Sequence, residues 1–216
     1  MDIEVLYRDK DLVICIKPVG LDSEKDMPAR LSAQLNAKEV YPVHRLDMAV
    51  GGVMVYALNR KAAARLSEQV AQRQMQKEYL AIVQGRPEEE SGILHDLLYR
   101  DKAKNKSYVV KRRRAGVKDA ELAYRCLESV KARSLIHITL HTGRSHQIRV
   151  QFSSRSMPLV GDVKYGSTYK DCPIALWSYA LSFNHPQSNE PLHFEQLPAG
   201  EYFWKEFEFI VKGEQT

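Results

Sequence analysis

The stretch "VHRLDMAVGGVMVYAL", residues 43–58, joins a charged loop to an apolar run that is rich in β-forming residues. Residues 51–58 predict a buried strand. Asp47 lies just before that strand and follows the basic pair His44 and Arg45. A charge cluster in this position is usually a surface ion pair, worth less than about 1 kcal/mol. The alternative is an active-site carboxylate, because functional residues collect at strand ends.

The segments around this stretch contain more strand patterns than helix patterns. Strands are predicted at 11–18 and 77–85, and helices at 29–37 and 60–74, the second of them capped by Asn59. The regular βαβ alternation of a parallel sheet is missing. We therefore predict an α+β fold, with a largely antiparallel or mixed sheet flanked by helices and loops.

The second half of the chain continues these patterns. Residues 134–144 alternate with the period of a strand, and 145–155 predict a short helix capped by Ser145. The aromatic alternation at 201–211 predicts a final strand. No repeat, linker or shift in composition marks a boundary, so we expect one domain over 1–216.

The composition is that of an ordinary soluble globular protein, with 44% hydrophobic and 27% charged residues in a chain of 216. No apolar run approaches the roughly 20 residues of a membrane span, and the N-terminus is unlike a secretory signal. The three cysteines are far apart, which suggests free thiols in a reducing compartment. We therefore expect a cytoplasmic protein.

The positive charge of the chain is concentrated in one segment, residues 100–118. This segment holds nine Lys or Arg and one Asp, a net charge of +8, which leaves the rest of the chain at −3 out of a total of +5. Such a segment suggests a polyanionic partner, most often nucleic acid, although a solvated loop without a partner is the alternative. The cations of this segment that could contact the phosphates of such a partner are Lys102, Lys104, Lys106, Lys111, Arg112, Arg113 and Arg114.

Several chemistries have no signature in the sequence. There is no HExxH zinc motif, no GxGxxG or GxxxxGK[ST] phosphate cradle and no GxSxG elbow. We therefore expect no metal and no nucleotide cofactor. A glycosidase with two carboxylates is not excluded by spacing, but the basic excess favours a phosphate-bearing partner.

Four motifs, in order over roughly residues 5–210, carry a resemblance to a known family. "HRLDMAVGG" resembles the HRLDxxTSG motif around the catalytic aspartate of RluA-type pseudouridine synthases, and "KEYLAIVQG" resembles their KxYxAxVxG. "TGRSHQIRVQFSSRSMPLVGDVKYG" is similar to their GRxHQIRxH and GDxxYG segment, and "LSFNHP" to LxFxHP. Two departures are Val50-Gly51 in place of Thr-Ser and Gln151 in place of His.

The resemblance implies an RNA pseudouridine synthase, an isomerase that converts uridines in ribosomal or transfer RNA without a cofactor. Its essential carboxylate is Asp47, acting as a nucleophile or as a base toward the ribose. Arg149 is expected to keep this carboxylate ionised, with Arg144 as the alternative. Tyr79 is expected to stack on the uracil and to exchange a proton with it.

The resemblance also implies residues that bind the substrate. Arg45 is expected to support a flipped-out uridine by stacking, or to pair with Asp47 in the free enzyme. His44 is expected to orient the loop or to contact phosphate, and Ile148 to form an apolar wall or plain core. The full set of predicted substrate-binding residues is Arg45, His44, Arg144, His146, Gln147 and Ile148.

Two other functions stay open at this point. One is a catalytically inactive protein that binds RNA on the same fold, and the other is an Asp-dependent hydrolase of a small phosphorylated substrate. The chain starts almost at once with a predicted strand, so we expect no S4-type RNA-binding module before it. Recognition by the catalytic domain alone favours a compact RNA stem-loop, and we expect a monomer.

Overall fold

The computed structural model describes residues 2–207. Its strands, in chain order, are β1 (Val5–Arg8), β2 (Leu12–Lys17), β3 (Tyr41–Pro42), β4 (Gly51–Ala57), β5 (Gln76–Gln84), β6 (Ser91–Asp101), β7 (Lys106–Val110), β8 (Val117–Val130), β9 (Arg133–Leu140), β10 (Leu176–Asn184) and β11 (Pro191–Glu195). Its α-helices are α1 (Asp26–Leu35), α2 (Arg60–Ala71) and α3 (Gln147–Ser153), and 3-10 turns span Val163–Tyr165 and Tyr202–Phe207.

The chain divides into two compact units, of which the first comprises residues 1–77 and 177–197. Its strands pair in the order β1-β2-β4-β10-β11, and β3 also pairs with β4. All of these pairs are antiparallel except β4–β10, which is parallel. This sheet is therefore mixed, and the parallel pair brings the start of β10 beside the start of β4.

The core of the first unit forms because α2 covers one face of this sheet. Leu66 of α2 and Val53, Val55 and Leu181 of the strands belong to one cluster of buried side chains. The Asn59 side chain begins the helix by accepting a hydrogen bond from Ala62 N at 2.9 Å. The predicted cap is thus confirmed, and it fixes where the chain leaves β4 for the helix.

The second unit comprises residues 78–176 and 198–216. Its strands pair antiparallel in the order β5-β9-β8-β6-β7. The short helix α3 packs against β6 and β7, where Leu98, Ala120, Val150 and Tyr165 form a buried cluster. The predicted α+β class is confirmed, whereas a single domain over 1–216 stays a prediction.

Two local expectations were wrong. Ser145 does not cap α3, because the cap position belongs to His146, which has left-handed backbone geometry (φ 53°) and makes no side-chain cap bond. The strand expected at 201–211 is a 3-10 turn over Tyr202–Phe207, and residues 208–211 lie outside the described residues. Side chains of this turn serve tertiary contacts instead, since Arg133 pairs with Glu206 at 2.6 Å.

Among residues 2–207, none of the helices is both long and apolar enough to span a membrane.

Candidate active site

Asp47 lies in the turn between β3 and β4, and its backbone oxygen accepts a hydrogen bond from Val50 N at 2.9 Å. The preceding peptide is held by a buried serine. Ser23 Oγ donates to Leu46 O at 3.0 Å and accepts from Leu46 N at 3.2 Å. Asp47 itself is only half-buried, so backbone contacts position the turn while the residue keeps access to solvent.

The end of β2 places a fully buried lysine against the same turn. Lys17 Nζ donates to three backbone carbonyl oxygens, and one of them, Met48 O at 3.3 Å, belongs to the residue after Asp47. Burial lowers the pKa of Lys17 to about 8, against the opposing effect of carboxylates that include Asp22 and Asp47. The ammonium group therefore both fastens the turn and attracts the Asp47 carboxylate.

The imidazole of His44 is turned into the protein. Its Nε2 accepts a hydrogen bond from Val55 N at 3.3 Å, and its buried Nδ1 has no partner among the described residues. Burial, and secondarily the positive charge of Lys77, lowers the pKa of His44 to about 3. A neutral, inward-facing ring is suited to the loop-orienting role predicted for His44 rather than to contact with phosphate.

Arg45, by contrast, points to the surface. Its Nη1 lies 3.0 Å from Glu24 Oε2, and the two side chains are 55% and 49% exposed. An exposed ion pair of this kind contributes at most about 1 kcal/mol. The guanidinium can therefore exchange Glu24 for another partner at little cost, and its stacking on a base stays a prediction.

The glycine pair after the turn is required by the parallel contact between β4 and β10. A Cβ on Gly51 would lie 2.5 Å from Trp177 Cζ3, and one on Gly52 would lie 2.2 Å from Ser178 O. Gly52 also has a φ of 122°, which glycine adopts more readily than any other residue. The Trp177 ring thus occupies the space into which a side chain at position 51 would extend.

The second unit holds the arginine predicted to be catalytic. Arg149, on α3, is 6% exposed and pairs with the buried Asp162, Nε to Oδ2 at 2.6 Å and Nη2 to Oδ1 at 2.8 Å. Its guanidinium carbon lies 5.1 Å from the centre of the Tyr165 ring. This bidentate pair fixes the plane of the guanidinium, whereas the predicted pairing of Arg149 with Asp47 stays a prediction.

The turn that leads into α3 is held by an amide side chain. Gln147 Oε1 accepts hydrogen bonds from Thr142 Oγ1 at 2.8 Å and Arg144 N at 3.0 Å, and Gln147 Nε2 donates to Glu121 O at 3.0 Å. Arg144 Nε in turn donates to Asp119 O at 2.8 Å. Gln147 therefore shapes this turn, and substrate contact by Gln147 or Arg144 stays a prediction.

Three other predicted residues are buried in the same unit. His146 Nδ1 lies 2.9 Å from the Tyr165 hydroxyl, which also accepts a hydrogen bond from Ser107 N at 2.8 Å. Tyr79 is 5% exposed and lies opposite Ile138 in the β5–β9 pair. Ile148 is also 5% exposed. Their predicted roles toward a substrate stay predictions.

A family model described as RNA pseudouridylate synthase matches residues 11–154, which include the Asp47 turn, β5 and Arg149. The chain belongs to the RNA pseudouridylate synthase family. The enzyme class predicted from the sequence, an isomerase that acts on RNA, is thereby confirmed, as is the resemblance to RluA-type synthases at the level of the family.

Two named relatives agree with this membership, and one solved structure shares the fold. "tRNA pseudouridine synthase C" of Haemophilus ducreyi is 31% identical and covers 91% of both chains. "Ribosomal large subunit pseudouridine synthase D" of Nitrosomonas europaea is 33% identical and covers 89% of this chain and 61% of the relative. The structure of "Human RNA Pseudouridylate Synthase Domain Containing 4", at 24% identity, has the same fold, with a TM-score of 0.79 over 97% of this chain and 93% of that chain.

The basic segment of this pseudouridylate synthase, residues 100–118, comprises the end of β6, the hairpin turn, β7, the loop at 111–116 and the start of β8. Most of its predicted phosphate-binding cations are exposed, but three are engaged. Arg113 pairs with Asp119 at 2.8 and 2.6 Å, Arg114 lies over the Tyr99 ring at 4.7 Å, and Lys106 Nζ donates to Lys164 O at 2.6 Å. The exposed members are Lys102, Lys104, Lys111, Arg112, Arg113 and Arg114.

One cluster in the synthase has the composition of a metal site, Asp9, Asp11 and His185. His185 Nδ1 accepts backbone N–H groups from Gln187 at 3.2 Å and Ser188 at 3.1 Å, so Nε2 carries the proton that it donates to Asp9 at 2.7 Å. A protonated nitrogen cannot ligate a metal. The hydrogen bonding therefore disfavours a metal here, and the absence of a metal stays a prediction.

Sequence reasoning missed two buried residues, each of which holds a predicted site residue or its turn within its own unit of the synthase. The signal for Lys17 was a lysine in an otherwise apolar strand, and the signal for Asp162 was its place in the segment that resembles GDxxYG. Both residues are almost completely buried. A buried charge needs a partner, and the partners that matter here are distant, since Met48 lies 31 residues from Lys17 and Arg149 lies 13 residues from Asp162.

Proposed function

We propose that this synthase converts uridine to pseudouridine in transfer or large-subunit ribosomal RNA, with Asp47 as the essential carboxylate. The observation that carries the role of Asp47 is its turn, which buried Lys17 and Ser23 hold through backbone atoms on either side of it. A catalytic group must be held in place by its surroundings. The RNA classes come from the names of the two relatives.

The reaction explains the residue types. The bond between ribose and the uracil nitrogen breaks, the base turns, and a bond from ribose to carbon 5 forms. Carbon 5 loses its hydrogen as a proton and the released nitrogen gains one, so the product is an isomer and no cofactor is required. An ionised carboxylate can attack the sugar or the base, or it can remove a proton from the ribose. Both routes use the negative charge of Asp47, which attracts the ammonium group of Lys17.

The other catalytic assignments rest on the family resemblance. Arg149 supplies a second positive charge, and its bond to Asp162 keeps the guanidinium plane fixed. Tyr79 provides an aromatic face for the uracil and a hydroxyl for proton exchange. Ile148 supplies an apolar wall, and Arg144, His146 and Gln147 form the turn that leads into the helix of Arg149.

The target uridine has to leave its stack to be reached, at a cost of a few kcal/mol. Arg45 is suited to support the extruded state because its exposed pair with Glu24 is weak and its guanidinium plane stacks on bases. The exposed cations of the β6–β7 hairpin and of the loop at 111–116 bind phosphates, which gives salt-dependent affinity with little sequence readout. An unpaired loop on a compact stem is the favoured target, and we place the enzyme in the cytoplasm as a monomer.

The decisive experiment is the release of tritium from RNA labelled at carbon 5 of uridine. Asp47→Asn is expected to lower the rate at least about 100-fold, toward the limit of detection, because the amide is neither a nucleophile nor a base. The variant should keep the wild-type melting temperature and affinity for RNA.

Release by Asp47→Asn at the wild-type rate would reject Asp47 as the catalytic residue. If the wild type itself releases no tritium from total transfer or ribosomal RNA but binds it, the inactive RNA-binding alternative holds. Activity on a free phosphorylated nucleoside would instead favour the hydrolase-like alternative.

A further inference from the structure

The β6–β7 hairpin presents two tyrosines side by side on one face. Tyr99 of β6 and Tyr108 of β7 are direct cross-strand partners, so their side chains project from the same face of the sheet. Tyr108 is 37% exposed, so part of this aromatic side chain is open to a partner. The opposite face of the hairpin packs against α3, so these rings lie on its outer face.

A guanidinium already lies on one of these rings. The guanidinium carbon of Arg114 is 4.7 Å from the centre of the Tyr99 ring, and Arg114 is an exposed residue. The loop at 111–116 reaches across this tyrosine, since a Cβ on Gly116 would lie 3.7 Å from its ring. The neighbouring Arg113 is held by Asp119. Adjacent arginines of one loop therefore have different partners, a carboxylate and an aromatic ring.

The surroundings indicate which molecule this face accepts. Lys106 Nζ lies 5.8 Å from the centre of the Tyr108 ring, and the segment 100–118 has a net charge of +8. A neutral apolar partner would have to strip water from these cations without compensation. Single-stranded RNA supplies both phosphates for the cations and flat bases for the rings. Duplex RNA does not, because its bases are stacked on each other.

We propose that the outer face of the β6–β7 hairpin is a stacking platform for an unpaired base of the RNA, formed by Tyr108 and by Arg114 lying over Tyr99. This contact with a base replaces the phosphate contact predicted above for Arg114. This inference rests on the proposed function, since it assumes that RNA is the substrate. The base that stacks here is not the target uridine but another nucleotide of the same RNA. The residues that bind it are distinct from Asp47, Tyr79 and Arg149.

The test compares two probes of equal charge, a uridine-rich oligoribonucleotide of about 12 nucleotides and its abasic counterpart. Binding is measured by fluorescence anisotropy over a series of salt concentrations. Tyr108→Ala is expected to weaken binding of the base-bearing probe about 5- to 100-fold, the range for loss of one stacked base. Its salt slope and its affinity for the abasic probe should match those of the wild type.

Three variants make the result specific. Arg114→Lys keeps the charge but loses the planar group, so it should behave like Tyr108→Ala. Tyr108→Phe keeps the ring and should bind like the wild type. Arg112→Ala removes an exposed charge that is not part of the proposed platform. It should therefore weaken the binding of both probes and flatten the salt dependence of that binding.

The proposal is overturned if Tyr108→Ala and Arg114→Lys bind the base-bearing probe like the wild type, or lose affinity equally for both probes. Because these are binding measurements, they are independent of turnover. If the wild type prefers the base-bearing probe, the platform variants lose that preference and the wild type releases no tritium, the proposed function alone is rejected. A wild-type protein that isomerises uridine while the platform variants bind normally rejects the platform alone.

Discussion

At the scale of single residues, the Asp47 turn depends on polar side chains that are buried beneath it. Lys17 and Ser23 bind backbone atoms on either side of Asp47, and His44 accepts from the strand that follows. Each of these groups gave up its hydration on folding, so each stabilises the turn only while its hydrogen bonds are made. Substitution of any of them is therefore expected to act on the position of Asp47 as well as on stability.

His44 makes stability depend on pH. Its pKa is about 3 in the folded protein and near its ordinary 6.5 in the unfolded chain, so the unfolded chain binds the extra proton between these values. Stability is therefore expected to fall as the pH drops from 6.5 toward 3, by about 1.4 kcal/mol per pH unit from this group. Urea denaturation of wild type and His44→Gln over this range measures the effect.

The glutamine is the matched control, since its side-chain oxygen can accept the hydrogen bond of Val55 N and it does not titrate in this range. When the free energy of unfolding is plotted against pH, the two proteins should have different slopes below pH 6.5 and equal slopes above pH 7. Equal slopes throughout would contradict the assignment of the effect to His44.

Of the two residues that replace the Thr-Ser of the family motif, Val50 and Gly51, Gly51 has the clearer structural reason. A serine at 51 would bring its Cβ within 2.5 Å of the Trp177 ring, so Gly51→Ser is expected to lower the free energy of unfolding by about 1–3 kcal/mol. Combining it with Trp177→Ala removes the clash with the ring and leaves only the 3.1 Å approach to Lys17 O, so the double variant should be more stable than the sum of the single changes predicts. Denaturant titration of the four proteins measures this coupling, and strict additivity would argue against the contact.

At the scale of elements, the β6–β7 hairpin and the loop at 111–116 carry the cations that are proposed to bind RNA phosphates. Reversing exposed charges, Lys111→Glu together with Arg112→Glu, is expected to weaken RNA binding and to reduce the salt slope by about 0.7–0.9 for each phosphate that the variant no longer neutralises. The measurement is a binding titration with RNA over a range of salt concentrations.

Arg113→Glu is the contrasting variant, because it removes a cation that Asp119 already neutralises and places two carboxylates together. It should cost stability as well as affinity. A salt slope that is unchanged by Lys111→Glu and Arg112→Glu would show that the hairpin does not bind phosphates.

Most of the helices and strands could be predicted from the local sequence pattern. The strand after Asp47 and the capped helix α2 follow from a β-rich apolar run and from Asn59 with its hydrogen bond to Ala62 N. Ser145 and the segment from 201 were assigned wrongly because the same local chemistry permits two outcomes. In each case contacts distant in sequence decided, through Gln147 in one and Arg133 in the other.

At the scale of the whole molecule, the function predicts a specific loss in the host. Deleting the gene is expected to remove pseudouridine from one or a few positions in transfer or ribosomal RNA, in unpaired loops closed by a stem. Chemical mapping of pseudouridine across both RNA classes identifies the position. The wild-type gene should restore the modification and the Asp47→Asn gene should not, whereas restoration by both would show that catalysis resides elsewhere.

The sequence by itself determined the family motifs, the α+β class, the place of Asp47 before β4 and the concentration of charge in 100–118, because each depends on residues close together in the chain. Only the tertiary structure decided which partner each of these residues has. It placed Lys17 against the Asp47 turn, Trp177 over Gly51 and Asp162 beside Arg149, and it divided adjacent Arg113 and Arg114 between a carboxylate and a ring. The reason is physical. A buried charge needs a partner, and the space beside a glycine is filled by a packed side chain or backbone. The fold supplies both, from residues that are rarely adjacent in sequence.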